Sequence, residues 1–118
     1  LGLGGPAREH FAAAAEEDLV RLVVEADRHG TPMLLLGGGS NLVVADEGFD
    51  GTVIRVATRG RTVVESGDTV RALLCAGEPW DDFVAWSVSE GLAGVECLSG
   101  IPGCVGATPI QNVGAYGQ

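Results

Sequence analysis

Pro32-Met33-Leu34-Leu35-Leu36-Gly37-Gly38-Gly39-Ser40-Asn41-Leu42 runs from a short apolar stretch into three consecutive glycines. The apolar part reads as a buried strand. Glycines at a strand end let the backbone reach φ > 0 and let another group come close. Ser40 and Asn41 add short side chains that can hydrogen-bond to nearby oxygens. Successive backbone N–H groups in such a turn form a concave nest for anions, and a diphosphate is a natural guest. A tight strand-to-loop turn with no ligand is the competing reading.

Spacing excludes two familiar phosphate loops. A Walker loop ends in Gly-Lys-Ser/Thr, and no lysine follows Gly39. A dinucleotide fingerprint of the Gly-x-Gly-x-x-Gly kind opens a long helix. Here the third glycine position is Leu42, and Leu42-Val43-Val44-Ala45 runs into Asp46-Glu47-Gly48-Phe49-Asp50-Gly51, which is turn chemistry.

Upstream of the glycines, residues 7–14 predict a first strand and Glu16-Glu17-Asp18 the start of a helix reaching about Arg28. The acidic first turn suits the positive end of the helix dipole. Leu19, Leu22, Val23 and Ala26 form one apolar stripe, Gly30 stops the helix and Pro32 follows. With a strand at 32–36 this is a β-α-β unit, which predicts parallel strands and a right-handed crossover. Downstream, residues 52–56 predict a strand. Residues 62–65 and 69–74, separated by Ser66-Gly67-Asp68, predict a hairpin. Pro79 begins a second helix with Asp81 and Asp82 in its first turn, a core stripe of Trp80, Phe83, Val84 and Val88, and Gly91 as its end. Pro102 and the small residues through Thr108 predict a short helix whose open N-terminal amides would make a second anion site. The sequence shows no repeat, domain boundary or linker.

Composition narrows the function. A chain of 118 residues with 46% hydrophobic residues suffices for one small folded domain. Its 19 glycines, without a three-residue period, mean many turns and close backbone approaches. A net charge of −9 disfavours broad capture of nucleic acid but not a phosphorylated ligand in a small pocket. Cys75, Cys97 and Cys104 are odd in number and lack Cys-x-x-Cys spacing, which argues against a disulfide framework and a zinc site. A reducing cytoplasm is the simplest compartment. His10 and His29 have no metal-ligand spacing. No bilayer-spanning run or signal peptide is present, so no membrane partner is expected. The start at Leu1 and the stop at Gln118, just after a glycine-rich run, read as cut points.

Two glycine-rich segments carry a family resemblance. The first is Gly37-Gly38-Gly39-Ser40-Asn41-Leu42 with Gly48-Phe49-Asp50-Gly51-Thr52-Val53-Ile54 behind it. The second runs from Gly94 to Gly117 and includes Gly100-Ile101-Pro102-Gly103-Cys104-Val105-Gly106 and Gln111-Asn112-Val113-Gly114-Ala115-Tyr116-Gly117. Both resemble the flavin segments of the UDP-N-acetylenolpyruvoylglucosamine reductase family, and Leu1-Gly2-Leu3-Gly4-Gly5-Pro6-Ala7 resembles its opening. The first motif alone points to the wider group of FAD domains; the Ile-Pro-Gly to Gly-Ala-Tyr-Gly run is specific to the reductase.

The resemblance implies an α+β fold, an FAD-binding domain of the vanillyl-alcohol-oxidase / p-cresol-methylhydroxylase type, incomplete at its C-terminus. Residues 1–118 would be a partial FAD-binding domain with the substrate domain elsewhere. Non-covalent FAD would rest its diphosphate on Gly37, Gly38, Gly39, Ser40, Asn41 and Leu42. Ile101, Pro102, Gly103, Cys104, Val105 and Gly106, with Gln111, Asn112, Gly114, Ala115 and Tyr116, would line the flavin. In the family NADPH reduces FAD, the flavin passes hydride to the enolpyruvyl group of a UDP-sugar, a serine protonates the enol, and an arginine and a glutamate stabilise it.

The family's Tyr-Arg-x-Ser segment, serine and glutamate cannot be placed on residues 1–118, and Gly117 rather than arginine follows Tyr116. No catalytic residue is therefore assigned. The chain alone is expected to be inactive and to bind FAD poorly. Cys104 has no neighbouring histidine to make it a nucleophile, and Arg55, Arg59 and Arg61 read as solvated charges rather than a phosphate clamp. Two alternatives stay open: a non-catalytic nucleotide- or phosphate-binding module, and another FAD oxidase of the same fold group.

Overall fold

The structure is a computed structural model that describes residues 4–115. In chain order its elements are β1 (Ala7–Ala13), α1 (Glu16–Arg28), β2 (Met33–Leu36), β3 (Phe49–Val56), β4 (Arg61–Ser66), β5 (Thr69–Leu74) and α2 (Trp80–Ser89). Two single 3-10 turns, Glu96–Leu98 and Val105–Ala107, follow α2. The chain divides into two compact units, Leu1–Thr58 and Arg59–Gln118.

In the first unit three parallel strands form a sheet in the order β1-β3-β2. The expected parallel relation of β1 and β2 holds, but β3 lies between them. Helix α1 packs its apolar stripe on this sheet. Leu22 joins Ala13 and Ile54 in the core, and Leu19 and Val23 pack against them. Gly30 at φ +60 ends the helix, and the Thr31 N–H closes back on the Ala26 carbonyl at 2.9 Å.

Two expectations are corrected here. β2 is not a buried strand. With β3 as its one partner among the described residues it sits at the sheet edge, where Leu34 and Leu36 are half-buried while Met33 and Leu35 are exposed. The buried strand is the central one, β3, whose Gly51-Thr52-Val53-Ile54 stretch is buried throughout. That strand also starts earlier than the acidic turn suggested. The turn closes with Gly48 N–H on the Ala45 carbonyl at 2.9 Å, and Phe49 already pairs with Ala7. Two backbone bonds recruit Phe49 and Asp50 into the strand: Gly5 N–H to Ala45 O at 2.8 Å and Phe49 N–H to Pro6 O at 3.0 Å. Local turn propensity yields to this pairing with a distant segment.

In the second unit β4 and β5 form the expected antiparallel hairpin, closed by Gly67 and Asp68 between the paired Ser66 and Thr69. Helix α2 begins after Pro79, whose φ of −62° suits its place at the helix start. Trp80 and Val84 are buried as expected, but Val88 is 54% exposed and Ser87 takes the inner position. Both 87 and 88 fit the helical period from Val84. Ser87 can be buried because its hydroxyl donates to the Val84 carbonyl at 2.8 Å and leaves no unpaired polar group. Ring contacts run along α2: Trp80 to Phe83 at 5.7 Å between centroids and Phe83 to Trp86 at 5.8 Å, with the Arg61 guanidinium 3.8 Å over the Trp86 ring.

Candidate functional site

The chain leaves β2 at Leu36 and enters the glycines at once. Gly37 and Gly39 are half-buried, and Gly38, Ser40 and Asn41 are exposed. Among the described residues no backbone carbonyl accepts from the N–H of Gly37, Gly38 or Gly39. Gly39 alone of the three has a positive φ, +72°. Among the described residues a Cβ built there would meet only Leu36 Cδ1, at 3.8 Å, so they leave the space beside it unfilled. The result is a short run of backbone donors at the C-terminal end of a parallel strand, beside an open space. Those donors fit a diphosphate: the group is anionic, rich in acceptors and needs close backbone approach.

The second glycine-rich segment is built differently. The helix expected from Pro102 is one 3-10 turn, Val105–Ala107. Its amides are not open. Val105 N–H donates to Glu78 O at 2.8 Å, Gly106 N–H to Ala76 O at 2.9 Å and Ala107 N–H to Cys104 O at 2.9 Å. The predicted second anion site is thereby corrected: Cys104 pairs with Pro79 as an antiparallel bridge, and the amides of residues 105–107 are taken by the carbonyls of Glu78, Ala76 and Cys104. Gly106 is required by packing, since a Cβ on it would lie 2.6 Å from Ala76 Cβ.

The first turn of α2 and the residues before it fasten the segment from Leu98 to Gly106. The Trp80 indole N–H donates to Leu98 O at 2.9 Å. Asp81 Oδ1 accepts from Gly100 N–H at 2.6 Å and from the Ser99 hydroxyl at 3.2 Å. Trp80 N–H donates to Gly103 O at 3.0 Å. Between these fastenings Ile101 is half-buried and Pro102 exposed, while Gly103, Cys104 and Val105 are half-buried. Sequence reading missed Asp81 and Trp80 in this role. In sequence Asp81 signals the helix dipole and Trp80 the core, and nothing local marks partners 18 and 19 residues away.

Farther on, Gln111 N–H donates to Ala107 O at 2.9 Å and Val113 N–H to Thr108 O at 3.1 Å. Asn112 adopts φ +48°, a conformation that asparagine tolerates better than most side chains. Asn112, Thr108, Pro109 and Val113 line a cavity of about 220 Å³ with Trp80 and Leu98. Gly114 is exposed, Ala115 is half-buried, and Tyr116 lies outside the described residues. In the first unit a cavity of about 330 Å³ is lined by Phe11, Leu22 and Ala26 together with Glu9, Glu25 and His29.

Arg59 pairs with Glu78 at 3.5 Å, Arg61 lies on Trp86, and Arg55 is exposed. His29 Nδ1 is 2.8 Å from the Glu25 carbonyl. The three cysteines are free thiols. The Glu96 carboxyl is held below its usual 4.5, chiefly by a hydrogen bond from its own backbone N–H and then by Gly94 N–H, with Val95 adding to them and desolvation opposing. The Gly94 bond is 2.6 Å long.

The family described as FAD binding domain matches residues 9–118. A UDP-N-acetylenolpyruvoylglucosamine reductase of Thermobifida fusca is 61% identical over 100% of this chain and 33% of its own length. The protein of that name from Streptomyces coelicolor is 59% identical over 98% of this chain and 29% of its own. That from Saccharopolyspora erythraea is 59% identical over 99% and 32%. The chain spans about a third of the length of the curated relatives it matches.

Proposed function

This chain belongs to the FAD binding domain family, and from that premise we propose that it is the cofactor-binding portion of a UDP-N-acetylenolpyruvoylglucosamine reductase. The names of relatives at 59–61% identity support the reading. The fold proposed is that of the vanillyl-alcohol-oxidase / p-cresol-methylhydroxylase type, with residues 1–118 as one incomplete FAD-binding domain. The reaction would take place in the cytoplasm, on a UDP-sugar precursor of peptidoglycan and with NADPH.

One observation carries the cofactor assignment: among the described residues the N–H groups of Gly37, Gly38 and Gly39 have no backbone acceptor, and a Cβ on Gly39 would meet Leu36 Cδ1 alone. These residues, with Ser40, Asn41 and Leu42, hold the diphosphate through backbone donors. Segment 101–106 and Gln111, Asn112, Gly114, Ala115 and Tyr116 contribute the surface for the flavin. Bound FAD supplies hydride transfer from NADPH to the enolpyruvyl group. The segments of this chain bind and orient, and the groups that handle protons lie beyond it.

The test is a titration of the full polypeptide with FAD and, separately, with ADP. The expected result is FAD binding much tighter than ADP, a yellow protein, bleaching by NADPH and return of colour with the enolpyruvyl UDP-sugar. Equal affinity for FAD and ADP would support a simple nucleotide module instead. A protein that takes up no FAD would overturn the reading.

A further inference from the structure

We propose that Asp81 is a positioning residue for the cofactor: its carboxylate holds the Ser99–Gly100 turn so that Ile101–Gly106 keeps one binding conformation. The inference rests on the cofactor reading above.

Segment 98–106 is tied down unevenly. Its far end is fixed by a backbone ladder, with Gly103 O, Val105 N–H and Gly106 N–H all paired to residues 76–80. Its near end has two side-chain fastenings, the Trp80 indole on Leu98 O and the Asp81 carboxylate on Ser99 and Gly100. Gly100 sits at φ +79°, and among the described residues a Cβ built on it meets nothing within 4 Å, so no side-chain packing on that side holds it. Glycine loses the most freedom of any residue when it is ordered. A charged acceptor 2.6 Å from its N–H is what fixes it. Ile101 and Pro102 lie between the two fastened ends. If the near end is released, they sample many conformations, and ordering them falls on the ligand.

Asp82 provides the internal control. It is the neighbouring acid of the same first turn, it is exposed, and it gives α2 the same favourable dipole interaction. Gly100 and Ser99 bond to Asp81. Asp81 is itself exposed, so truncation opens no cavity.

The experiment compares FAD affinity in the full polypeptide for wild type, Asp81→Ala, Asp81→Asn and Asp82→Ala, with the melting midpoint of each apo-protein. Asp81→Ala is expected to weaken FAD binding about tenfold, the size of one charge-assisted hydrogen bond. Asp81→Asn keeps an oxygen for the Gly100 N–H and is expected to stay within about threefold of wild type, which is the rescue that simple loss of charge does not give. Asp82→Ala is expected to bind as wild type. The proposal is overturned if Asp81→Ala binds FAD normally, if Asp82→Ala loses as much as Asp81→Ala, or if Asp81→Asn is no better than Asp81→Ala. Wild-type protein that binds no FAD would overturn the cofactor reading itself, a result separable from these.

Discussion

The indole N–H of Trp80 donates to the carbonyl of Leu98 across 2.9 Å. The same residue's backbone N–H donates to Gly103 O at 3.0 Å. One buried residue at the start of a helix thus holds two points of a glycine-rich segment, and its ring faces the cavity that Asn112 and Val113 complete. The Trp80 side chain contributes both to the interior of the second unit and to the hold on the segment proposed to line the flavin.

Trp80→Phe separates these roles. Phenylalanine keeps most of the apolar burial but cannot donate to Leu98 O. The expected cost is about 1–2 kcal/mol, from a part-buried carbonyl left unpaired. Urea unfolding of the variant and wild type measures it. Equal stability would show that the indole bond contributes nothing net.

Gly106 predicts a steric effect with no ligand involved. Gly106→Ala brings a methyl within 2.6 Å of Ala76 Cβ and 3.1 Å of Ala76 Cα. The backbone ladder at residues 76–80 must then shift, at about 1–3 kcal/mol for overpacking of this kind. Thermal unfolding without FAD reads it directly. An unchanged melting midpoint would mean that the pairing of 103–106 with 76–80 is looser than described.

Much of this architecture is legible in sequence, for identifiable reasons. The stripe Leu19, Leu22, Val23 and Ala26 and the acidic first turn of α1 are local signals, and the helix forms where they place it. The hairpin also follows from spacing. What sequence hides is pairing between distant segments. Leu35 looks interior by its neighbours, yet it is exposed because β3 comes between β1 and β2. Pro102-Gly103 looks like a helix start, yet Cys104 pairs with Pro79 and uses the amides. At the candidate site the glycine turn after β2 was legible because conformational freedom is written in residue type. Its second-unit counterpart was only partly so, since Asp81 acts on a backbone 19 residues away.

Glu96 gives a pH dependence with a definite sign. Its folded pKa is depressed below 4.5 by hydrogen bonds from its own N–H, Gly94 N–H and Val95 N–H, which favour the carboxylate. A depressed pKa contributes stability that is complete above the unfolded value and lost as pH falls through the folded one. Wild type is therefore expected to lose more stability than Glu96→Gln between pH 6 and pH 3. The measurement is the difference between the two proteins at each pH, which removes the carboxylates they share. A difference that stays constant with pH would rule out this linkage.

Gly39 carries the most discriminating substitution. At φ +72° an L-residue pays about 1–2 kcal/mol in strain, and a β-branched one more. Protein packing adds little, since among the described residues Leu36 Cδ1 at 3.8 Å is the one neighbour of a Cβ built there. Gly39→Val combines the strain with two methyls beside the amides that the diphosphate would occupy. Gly39→Asn tolerates the same φ with a smaller penalty, yet its side chain still fills part of that space. If the amides of 37–39 grip the diphosphate, both variants weaken FAD binding, valine by well over about tenfold and asparagine by less, beyond what apo-protein stability accounts for. If the turn only fills space, both variants shift the melting midpoint in proportion to strain and leave FAD affinity alone. Flavin titration paired with thermal unfolding of the apo-proteins distinguishes the two, and normal FAD affinity in Gly39→Val would move the diphosphate off this turn.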